Sequence, residues 1–464
     1  MRNSTAFPSP LAGVLVAAAL SLTALPAQEW YRDAANSAPP ARRFHAVAHL
    51  NGETLLFGGI DERSNTVYGD LWSYDGLEWQ QRTVTGPTPG PRQRFAYCVD
   101  TARSVLVLFG GLDAAGQVLG DTWEFDGSAW SAVATATAPS ARTGAAMAFD
   151  SGRGVAVLFG GGDANAASDE TWEFDGLTWQ QSAAATPPGA RQGHAMVYDP
   201  TRGVTVLFGG FDAGQSTFVE DTWTFDGASW SQIVTLTTPS TAVFPAMTFF
   251  AAHDVVVMTG ALGVPSQPVR TWAFDGVDWH PGPTAPPEFG GRQAHGMAYD
   301  GSRDLIVVFG GARISFGGAL PLDETWELST PAVFERFGAG CPIGQRIPDL
   351  DPVAGARPQI GSRFELELRS PGVMASFAFG FDDTTFAGVP LPADLSVVGL
   401  PGCQLHTSID HALLAPISNG TAIAALDLPL YPALLGLQFF AQAFVLDTAG
   451  PAAMSNAGRL TVGN

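Results

Sequence analysis

Short apolar runs that end in glycine recur along the first 330 residues of the chain. One run in each repeat is rich in β-branched residues, as in Val204–Gly210 (VTVLFGG), and the next alternates polar and aromatic positions, as in Asp221–Asp226 (DTWTFD). Both patterns are typical of strands rather than helices. An apolar run precedes them (Gly193–Asp199) and another begins after them at Trp230. Each repeat therefore predicts four antiparallel strands.

A glycine pair marks the repeat, and its period is close to 50 residues. The pair occurs at Gly58–Gly59, Gly110–Gly111, Gly160–Gly161, Gly209–Gly210 and Gly310–Gly311, with a degraded copy at Val257–Gly260 (VMTG). Six repeats of four antiparallel strands predict a six-bladed β-propeller. An Asp-Gly pair stands between the third and fourth strands, and it predicts a tight type I′ hairpin.

The fourth strands point to the way the ring closes. They begin at Trp79, Trp130, Trp179, Trp230 and Trp279, and no equivalent follows Trp326 in the sixth copy. The stretch EWYRDAANSAPPARR from Glu29 is similar to EWQQRTVTGPTPGPR from Glu78. The strand at Trp30 is therefore predicted to complete the last blade, which would remove two exposed sheet edges.

These motifs resemble a known repeat family. The glycine pair, the two tryptophans seven residues apart and the Arg-x-x-His-Ala opening of a blade (ARQGHAM, Ala190–Met196) are similar to kelch repeats over residues 29–330. The resemblance implies a propeller similar in form to the central domain of galactose oxidase. It leaves the function open, because this scaffold hosts both binding and catalysis.

Two charged positions recur with the blades. An arginine opens the first strand, and an acid stands two residues before the third-strand tryptophan: Arg42, Arg92, Arg142, Arg191 and Arg292, with Asp70, Asp121, Glu170, Asp221 and Glu324. The fifth blade has Ala242 and Arg270 instead. Both positions fall at the same end of the strands and both are lost together, so we predict that arginine and acid form structural ion pairs.

A further acid follows the glycine pair in four blades, at Asp61, Asp113, Asp163 and Asp212, whereas blades five and six have Leu262 and Arg313. A ring of such carboxylates would bind calcium or attract a basic ligand. Capping of the local turns is the alternative. The loops Ala261–Arg270 and Ala312–Glu324 break the repeat, so Arg270 and Arg313 are further candidates for binding a ligand. Calcium is the one cofactor considered.

Catalytic motifs are weak in this sequence. The seven tyrosines are scattered, and His45, His194 and His295 occupy equivalent places in three blades, which favours a structural role. The tryptophans repeated in the third strands are interpreted as packing between blades, with a sugar-stacking platform as the alternative. Neither a metal-ligand spacing nor a nucleophile motif stands out. We predict a binding protein rather than an enzyme, with a copper-radical oxidase-like or sugar epimerase-like enzyme as the alternative.

Charge and the N-terminus restrict the partners. The 23 basic residues against 44 acidic ones give a net charge of −21, which argues against nucleic acid or anionic lipid as a partner. Residues 1–27, with Arg2 and the apolar run Leu11–Leu25, resemble a signal peptide, and a retained membrane anchor is the alternative. The expected protein is secreted or at the cell surface, monomeric, and binds an extracellular protein or glycan.

The repeat stops after Trp326, so residues 28–333 are assigned to the propeller and residues 334–464 to a second domain. Alternating strands such as Ser362–Ser370 predict a small β-sandwich. The pattern of this region resembles a domain found at the ends of large secreted bacterial proteins, which implies an accessory or surface-attachment module. Cys341 and Cys403 either form a disulfide or stay free, and Cys98 is predicted to be a buried thiol.

Overall fold

The computed structural model describes most of residues 29–329 and the strands of the remaining chain. The described residues are 29–33, 37–76, 78–163, 166–239, 244–260, 269–315, 318–329, 333–337, 349–352, 363–369, 374–380, 385–386, 389–391, 393–394, 404–405, 411–418, 421–427, 438–447 and 450–461. Within them the secondary structure is β-strand apart from one 3-10 turn at Ala251–His253. The predicted signal peptide and the Cys341–Cys403 pair lie outside this part of the chain.

Six antiparallel sheets of four main strands follow one another along the first unit. We number them 1 to 6 by their first strands, which are the inner strands of the ring. Their strands are, in sheet 1, Ala46–Leu50, Glu53–Phe57, Leu71–Tyr74 and Trp79–Arg82; in sheet 2, Ala96–Asp100, Val105–Asp113, Val118–Phe125 and Trp130–Val133; in sheet 3, Thr143–Asp150, Val155–Gly162, Thr171–Phe174 and Trp179–Gln181. They continue, in sheet 4, with Ala195–Asp199, Val204–Phe208, Thr222–Phe225 and Trp230–Ile233; in sheet 5, Ala246–Phe250, Val255–Thr259, Arg270–Phe274 and Trp279–Thr284; in sheet 6, Gly296–Asp300, Leu305–Phe309, Thr325–Ser329 and Glu29–Asp33.

Short strands extend the loops that follow the glycine pairs. Small hairpins pair Ile60–Asp61 with Thr66–Val67, Phe211–Asp212 with Thr217–Phe218, and Ala312–Ser315 with Gly318–Pro321. The two-residue strands Arg92–Gln93 and Arg191–Gln192 also pair with these loops, in sheets 2 and 4. The loops at the arginine-bearing end of the sheets are therefore built up by extra backbone pairing.

The first strand of every sheet contacts the first strands of both neighbouring sheets, and sheet 6 contacts sheet 1. Apolar side chains fill each interface between sheets. Leu56 and Tyr74 of sheet 1, for example, share one buried cluster with Val307 and Phe309 of sheet 6. Burial between the sheets is thus the main hydrophobic stabilisation of this unit. The prediction of an all-β propeller is confirmed.

The N-terminal strand closes the ring. Glu29–Asp33 pairs antiparallel with Thr325–Ser329, with Trp30 opposite Leu328. The Trp30 indole Nε1 donates a hydrogen bond of 2.9 Å to Thr271 Oγ1 of sheet 5. Trp79, Trp179, Trp230 and Trp279 each donate the same bond to a threonine of the preceding sheet. Trp30 therefore takes the position of a fourth-strand tryptophan, and the predicted closure is confirmed.

The prediction of a type I′ turn at Asp-Gly is wrong. In sheet 2, Phe125 pairs with Trp130, which leaves a four-residue loop. Asp126 Oδ1 accepts the N–H groups of Ser128 and Ala129 at 2.8 Å, and Gly127 alone is left-handed (φ +96°). The aspartate caps the loop through its side chain, so it needs no positive φ itself.

Glycine is also required in this turn by a close contact with the neighbouring sheet. At Gly176 of sheet 3 an added Cβ would lie 2.6 Å from Cζ of Arg103, which belongs to sheet 2. The same close approach joins Gly227 to Arg153 and Gly276 to Arg202. Glycine at this turn therefore lets an arginine of the preceding sheet pack against the backbone.

The last part of the chain forms a separate set of strands. A five-stranded sheet has the order Val333–Phe337, Gly450–Thr461, Gln438–Asp447, Met374–Gly380 and His411–Pro416, and a three-stranded sheet has the order Asp349–Pro352, Arg363–Arg369 and Thr421–Asp427. Two further pairs join Thr385–Phe386 to Val389–Pro390 and Ala393–Asp394 to Gln404–Leu405. Leu366 and Leu368 of the smaller sheet share one buried cluster with Phe377 and Ala441 of the larger. The two sheets therefore pack face to face as a β-sandwich. Across the described residues, none of the helices is long and apolar enough to span a membrane.

Closure by the N-terminal strand predicts a large effect of Trp30. We expect Trp30→Ala to lower the free energy of unfolding by about 3–5 kcal/mol, because it removes a buried indole and leaves a cavity at the ring closure. Tyr31→Ala, on the same strand and less buried, is the matched control and should cost clearly less. Chemical denaturation of the purified protein measures both. Equal, small effects of the two substitutions would contradict the role assigned to this strand.

Candidate functional site

Five buried arginines pair with acids of their own sheets. The guanidinium groups are almost inaccessible, with Arg42 and Arg292 at 0% exposure. The pairs and their shortest N–O distances are Arg42–Asp70 (2.6 Å), Arg92–Asp121 (2.8 Å), Arg142–Glu170 (2.6 Å), Arg191–Asp221 (2.6 Å) and Arg292–Glu324 (2.9 Å). The three aspartate pairs are bidentate. Each pair joins the start of the first strand to the start of the third.

Each pair has further partners that recur with the repeat. The guanidinium Nη1 also donates to the carbonyl of the first glycine of the pair, as Arg191 does to Gly209 at 3.0 Å. The third-strand tryptophan donates its indole N–H to the same carboxylate, as Trp223 does to Asp221 at 2.7 Å. Burial opposes ionisation of Asp70, but the hydrogen bond and charge of Arg42 lower its pKa overall. These groups are mutually satisfied and serve the fold.

The main chain of the same arginine reaches the preceding sheet. The N–H of Gly59, in sheet 1, donates 2.9 Å to the carbonyl of Arg92, in sheet 2. Gly58 and Gly59 are both left-handed (φ +70° and +98°), and a Cβ on Gly58 would lie 2.7 Å from that carbonyl oxygen. The glycine pair is therefore needed both for its backbone conformation and for the close approach between sheets.

The acids after the glycine pairs cap their own loops. Asp61 Oδ1 accepts the Arg63 N–H, Asp113 Oδ1 accepts the N–H groups of Ala115 and Gln117, Asp163 Oδ1 accepts that of Ala166, and Asp212 Oδ1 accepts that of Gln215. Among the residues that the structure describes, no group of three or more His, Cys, Asp or Glu side chains is placed to hold a metal ion. The geometry favours turn capping, and calcium binding at these loops stays a prediction.

The two arginines that break the repeat differ in what the structure shows. Arg270 lies in a strand opposite Thr284, and its side chain is outside the described atoms. The preceding loop, residues 261–268, is outside the described residues. Arg313 lies in the hairpin Ala312–Pro321, donates to the carbonyl of Glu288, and is 3.7 Å from Glu324. Sheet 6 therefore brings a second arginine to an acid that already binds Arg292.

A backbone ring around the propeller axis was not predicted from the sequence. One residue near the start of each inner strand is left-handed, with φ between +51° and +70°: Phe44, Arg94, Gly144, Gly193, Phe244 and Ala294. Five hydrogen bonds of 2.8–3.2 Å join the N–H of one such residue to the carbonyl of the equivalent residue in the preceding sheet. Each of these residues stands two places after the repeated arginine position, so the spacing was visible in the sequence. The residue type at this position varies too much to be recognised as a motif.

Side chains of this ring are unequal and fill the axis together. The Phe44 and Phe244 rings meet edge to face at 4.9 Å, and the Arg94 guanidinium lies 4.1 Å from the Phe44 ring centre. An added Cβ on Gly193 would lie 2.3 Å from the Phe244 ring. Small residues in sheets 3 and 4 therefore make room for large ones from sheets 1, 2 and 5. At this position near the axis the six sheets therefore differ in side-chain size, although their backbones are equivalent.

A second row of arginines, also missed, lies in the turns after the inner strands. The motif Asp-x-x-Arg recurs there, and in each copy the guanidinium binds the aspartate three residues earlier at 2.7 Å: Asp100–Arg103, Asp150–Arg153, Asp199–Arg202 and Asp300–Arg303. Arg103, Arg153 and Arg303 also bind a third-strand glutamate. These are the arginines that pack on the glycines of the Asp-Gly loops, so the motif joins neighbouring sheets.

Three equivalent histidines are buried and neutral. Burial lowers the pKa of His45 and His194 from 6.5 to about 3, with the nearby arginine of the same sheet acting in the same direction. Burial also lowers the pKa of His295. His45 Nε2 lies 3.2 Å from the Phe309 carbonyl, and both ring nitrogens of His194 and His295 lack a hydrogen-bond partner among the described groups. Their structural role, expected from the sequence, agrees with this burial.

We call each buried arginine–acid pair a clamp. The clamp between Arg191 and Asp221 predicts that the stability of the fold depends strongly on the acid. We expect Asp221→Asn to lower the free energy of unfolding by about 3 kcal/mol, because it removes the bidentate counter-charge of the buried guanidinium and leaves only Asp212, 3.9 Å away. Glu53→Gln in the exposed Arg82–Glu53 pair is the control and should cost about 1 kcal/mol or less. Urea denaturation compares them. A loss for Asp221→Asn no larger than the control would show that the clamp is not needed.

The buried histidines predict loss of stability in mild acid. Their folded pKa lies below the unfolded value of 6.5, so they take up protons only on unfolding. Their contribution is complete above that pH and falls as the pH drops toward 3. His194→Phe places the residue type of Phe95 at the equivalent position. It should reduce the slope of stability against pH between about 4.5 and 6 by up to about 1.4 kcal/mol per pH unit. Denaturation curves across that range test this, and an unchanged slope would disprove it.

Comparison with known proteins agrees with the repeat. Residues 45–261 match the KLHDC2/KLHL20/DRC7 Kelch-repeats domain. Kelch domain-containing protein 3 of Homo sapiens is 36% identical over 91 residues, which cover 19% of this chain and 23% of that protein. F-box/kelch-repeat protein At1g51550 of Arabidopsis thaliana is 33% identical over 111 residues, 21% of this chain and 23% of that protein.

The similarity extends to a much larger protein. The dynein alpha chain of the flagellar outer arm of Chlamydomonas reinhardtii is 33% identical over 112 residues, 23% of this chain and 2% of its own length. The chain thus matches less than a quarter of the length of each of these relatives. Residues 45–261 of this chain carry kelch repeats, and the protein is similar to kelch-repeat proteins over that part of its propeller.

Proposed function

We propose that this chain is a secreted, monomeric binding protein whose kelch propeller binds a partner protein through the hairpin end of sheet 6. Two lines support a protein partner in general: the kelch-repeat similarity and the signal-like residues 1–27, which would bring the propeller to an extracellular protein. The absence of a recurring catalytic motif in the sequence favours binding over an oxidase or epimerase activity.

A group of three arginines around one carboxylate carries this proposal. Glu324 lies 2.9 Å from Arg292, 3.5 Å from Arg32 and 3.7 Å from Arg313. Among the described residues, the clamp acids Asp70, Asp121, Glu170 and Asp221 each form an ion pair with one arginine. Sheet 6 therefore gathers three arginines around one carboxylate, whereas each of these four acids pairs with one arginine.

Two of these arginines are accessible, and one of them stands beside an apolar side chain. The side chains of Arg32 and Arg313 are 55% and 38% exposed, whereas Arg292 is buried. Leu320 stands opposite Arg313 in the hairpin and is 48% exposed. Burial lowers the pKa of Arg292 to about 10, and the charges of Arg313 and Arg32 act in the same direction. A carboxylate supplied from outside would relieve this repulsion.

This combination indicates the chemistry of the partner. A positive patch on a chain of net charge −21 would orient an acidic segment, and electrostatic complementarity of this kind sets register and association rate. Leu320 would supply apolar contact area at the centre of the patch. A protein segment with an acidic residue beside an apolar one therefore fits the surface better than an uncharged glycan does.

The test compares two hairpins of the same propeller. Proteins secreted by the source organism are cross-linked to the wild type, identified by mass spectrometry, and measured singly for affinity. The double substitution Arg313→Glu with Leu320→Asp should weaken the affinity for the partner by at least tenfold, because it reverses a charge and removes the apolar contact. Arg63→Glu, in the equivalent hairpin of sheet 1, should leave the affinity within about twofold.

Three results would overturn parts of the proposal. Equal affinity of the sheet 6 variant and the wild type would place the partner elsewhere. Binding to an array of extracellular glycans, with no protein partner, would replace the protein by a carbohydrate. An uncleaved N-terminus in protein recovered from the producing cells would contradict secretion by a signal peptide.

A further inference from the structure

An axial cavity of about 440 Å³ runs between the inner strands of all six sheets. Its lining extends from the backbone ring at Phe44 and Phe244 to Thr101, Ser151 and Pro200, in the turns at the opposite ends of the strands. Those three turn residues are exposed. The cavity is therefore narrowed at one end by the ring and its two phenyl groups, and it reaches solvent at the other.

The cavity wall is almost free of charge. Arg94 is the one Asp, Glu, Lys or Arg residue among those that line it, in a chain with 67 such residues. The Arg94 guanidinium stacks on Phe44, in the ring at the narrow end. Burial lowers the pKa of all four lining histidines, His45, His49, His194 and His295, and so disfavours their charged forms. An ion in the cavity would lose its hydration without gaining a partner along most of the wall.

The wall is rich in methionine and aromatic groups. The residue five places after the repeated arginine position is methionine in four sheets: Met147, Met196, Met247 and Met297. The residue two places further on is aromatic in the same four sheets: Phe149, Tyr198, Phe249 and Tyr299. Methionine adapts its shape to different contents and makes favourable contacts between sulfur and aromatic rings. The cavity volume of about 440 Å³ falls in the range of small-molecule pockets, roughly 300–1,000 Å³.

We infer that this axial cavity binds a small uncharged aromatic molecule, which enters from the end at Thr101, Ser151 and Pro200. The apolar wall favours transfer of an aromatic ring from water, and the methionines supply contacts that an aliphatic wall would lack. This site lies along the axis and is independent of the protein-binding patch of sheet 6, so either can exist without the other.

Indole is a suitable probe, and the methionine methyl groups report its position. The protein is labelled with carbon-13 at the methionine methyls and titrated with indole, while methyl spectra are recorded. The methyl signals of the four methionines that line the cavity should shift together, and the shifts should saturate as indole is added. Met258, buried in the core of sheet 5, and Met374 and Met454, in the sandwich, are internal controls and should not move. No shift, or equal shifts of the control and the cavity-lining methionines, would overturn the inference.

Two further arms test the charge and the location. Tryptamine and indole-3-acetate should each bind at least tenfold more weakly than indole, and equal or tighter binding of either would overturn the assignment to an uncharged ligand. Thr248→Phe, which enlarges a partly exposed residue of the cavity lining, should weaken the affinity for indole by at least tenfold. Thr217→Phe, on the exposed hairpin of sheet 4, is the control. The methyl titration of the wild type decides the question even where Thr248→Phe does not fold.

Discussion

A buried arginine at the start of the inner strand holds each complete sheet together and attaches it to its neighbour. The guanidinium of Arg92 binds Asp121 and the Gly110 carbonyl in its own sheet, while its main-chain carbonyl accepts the N–H of Gly59 from the preceding sheet. A buried cation is stable only while all these partners are present. The acid, the glycine pair and the arginine are therefore one unit, which explains why sheet 5 has lost all three.

Closure of the ring depends on interactions between sheets at three radii. At the axis, backbone hydrogen bonds join the left-handed residues before the inner strands. In the middle, apolar side chains of adjacent sheets pack against each other. Toward the outside, tryptophans of the fourth strands donate to threonines of the preceding sheet, with Trp30 supplying the last of them. The closing strand at Trp30 thus uses the same contacts as the other fourth strands, so sheet 6 is completed in the same way as the rest.

Specific properties arise where the repeat is broken. Sheet 6 has three arginines around Glu324, and Phe44, Arg94 and Phe244 narrow one end of the axial cavity because the equivalent residues of other sheets are small. The repeated arginines and acids have satisfied partners and few free groups to offer a ligand. Arg32 and Arg313, which depart from the repeat, are not committed to the scaffold in this way, so a partner can use them.

The sequence by itself determined the strands, the propeller, its closure at Trp30 and the residue types of the Arg–acid clamps, because these depend on local periodicity and on positions that recur in register. It misassigned the Asp-Gly loop, since aspartate capping and the approach of Arg103 to Gly176 involve side chains that no dipeptide pattern contains. It also missed the axial ring and cavity and the crowding of Arg32, Arg292 and Arg313 around Glu324. Those features join residues from different sheets, and their distances were fixed only when the ring closed.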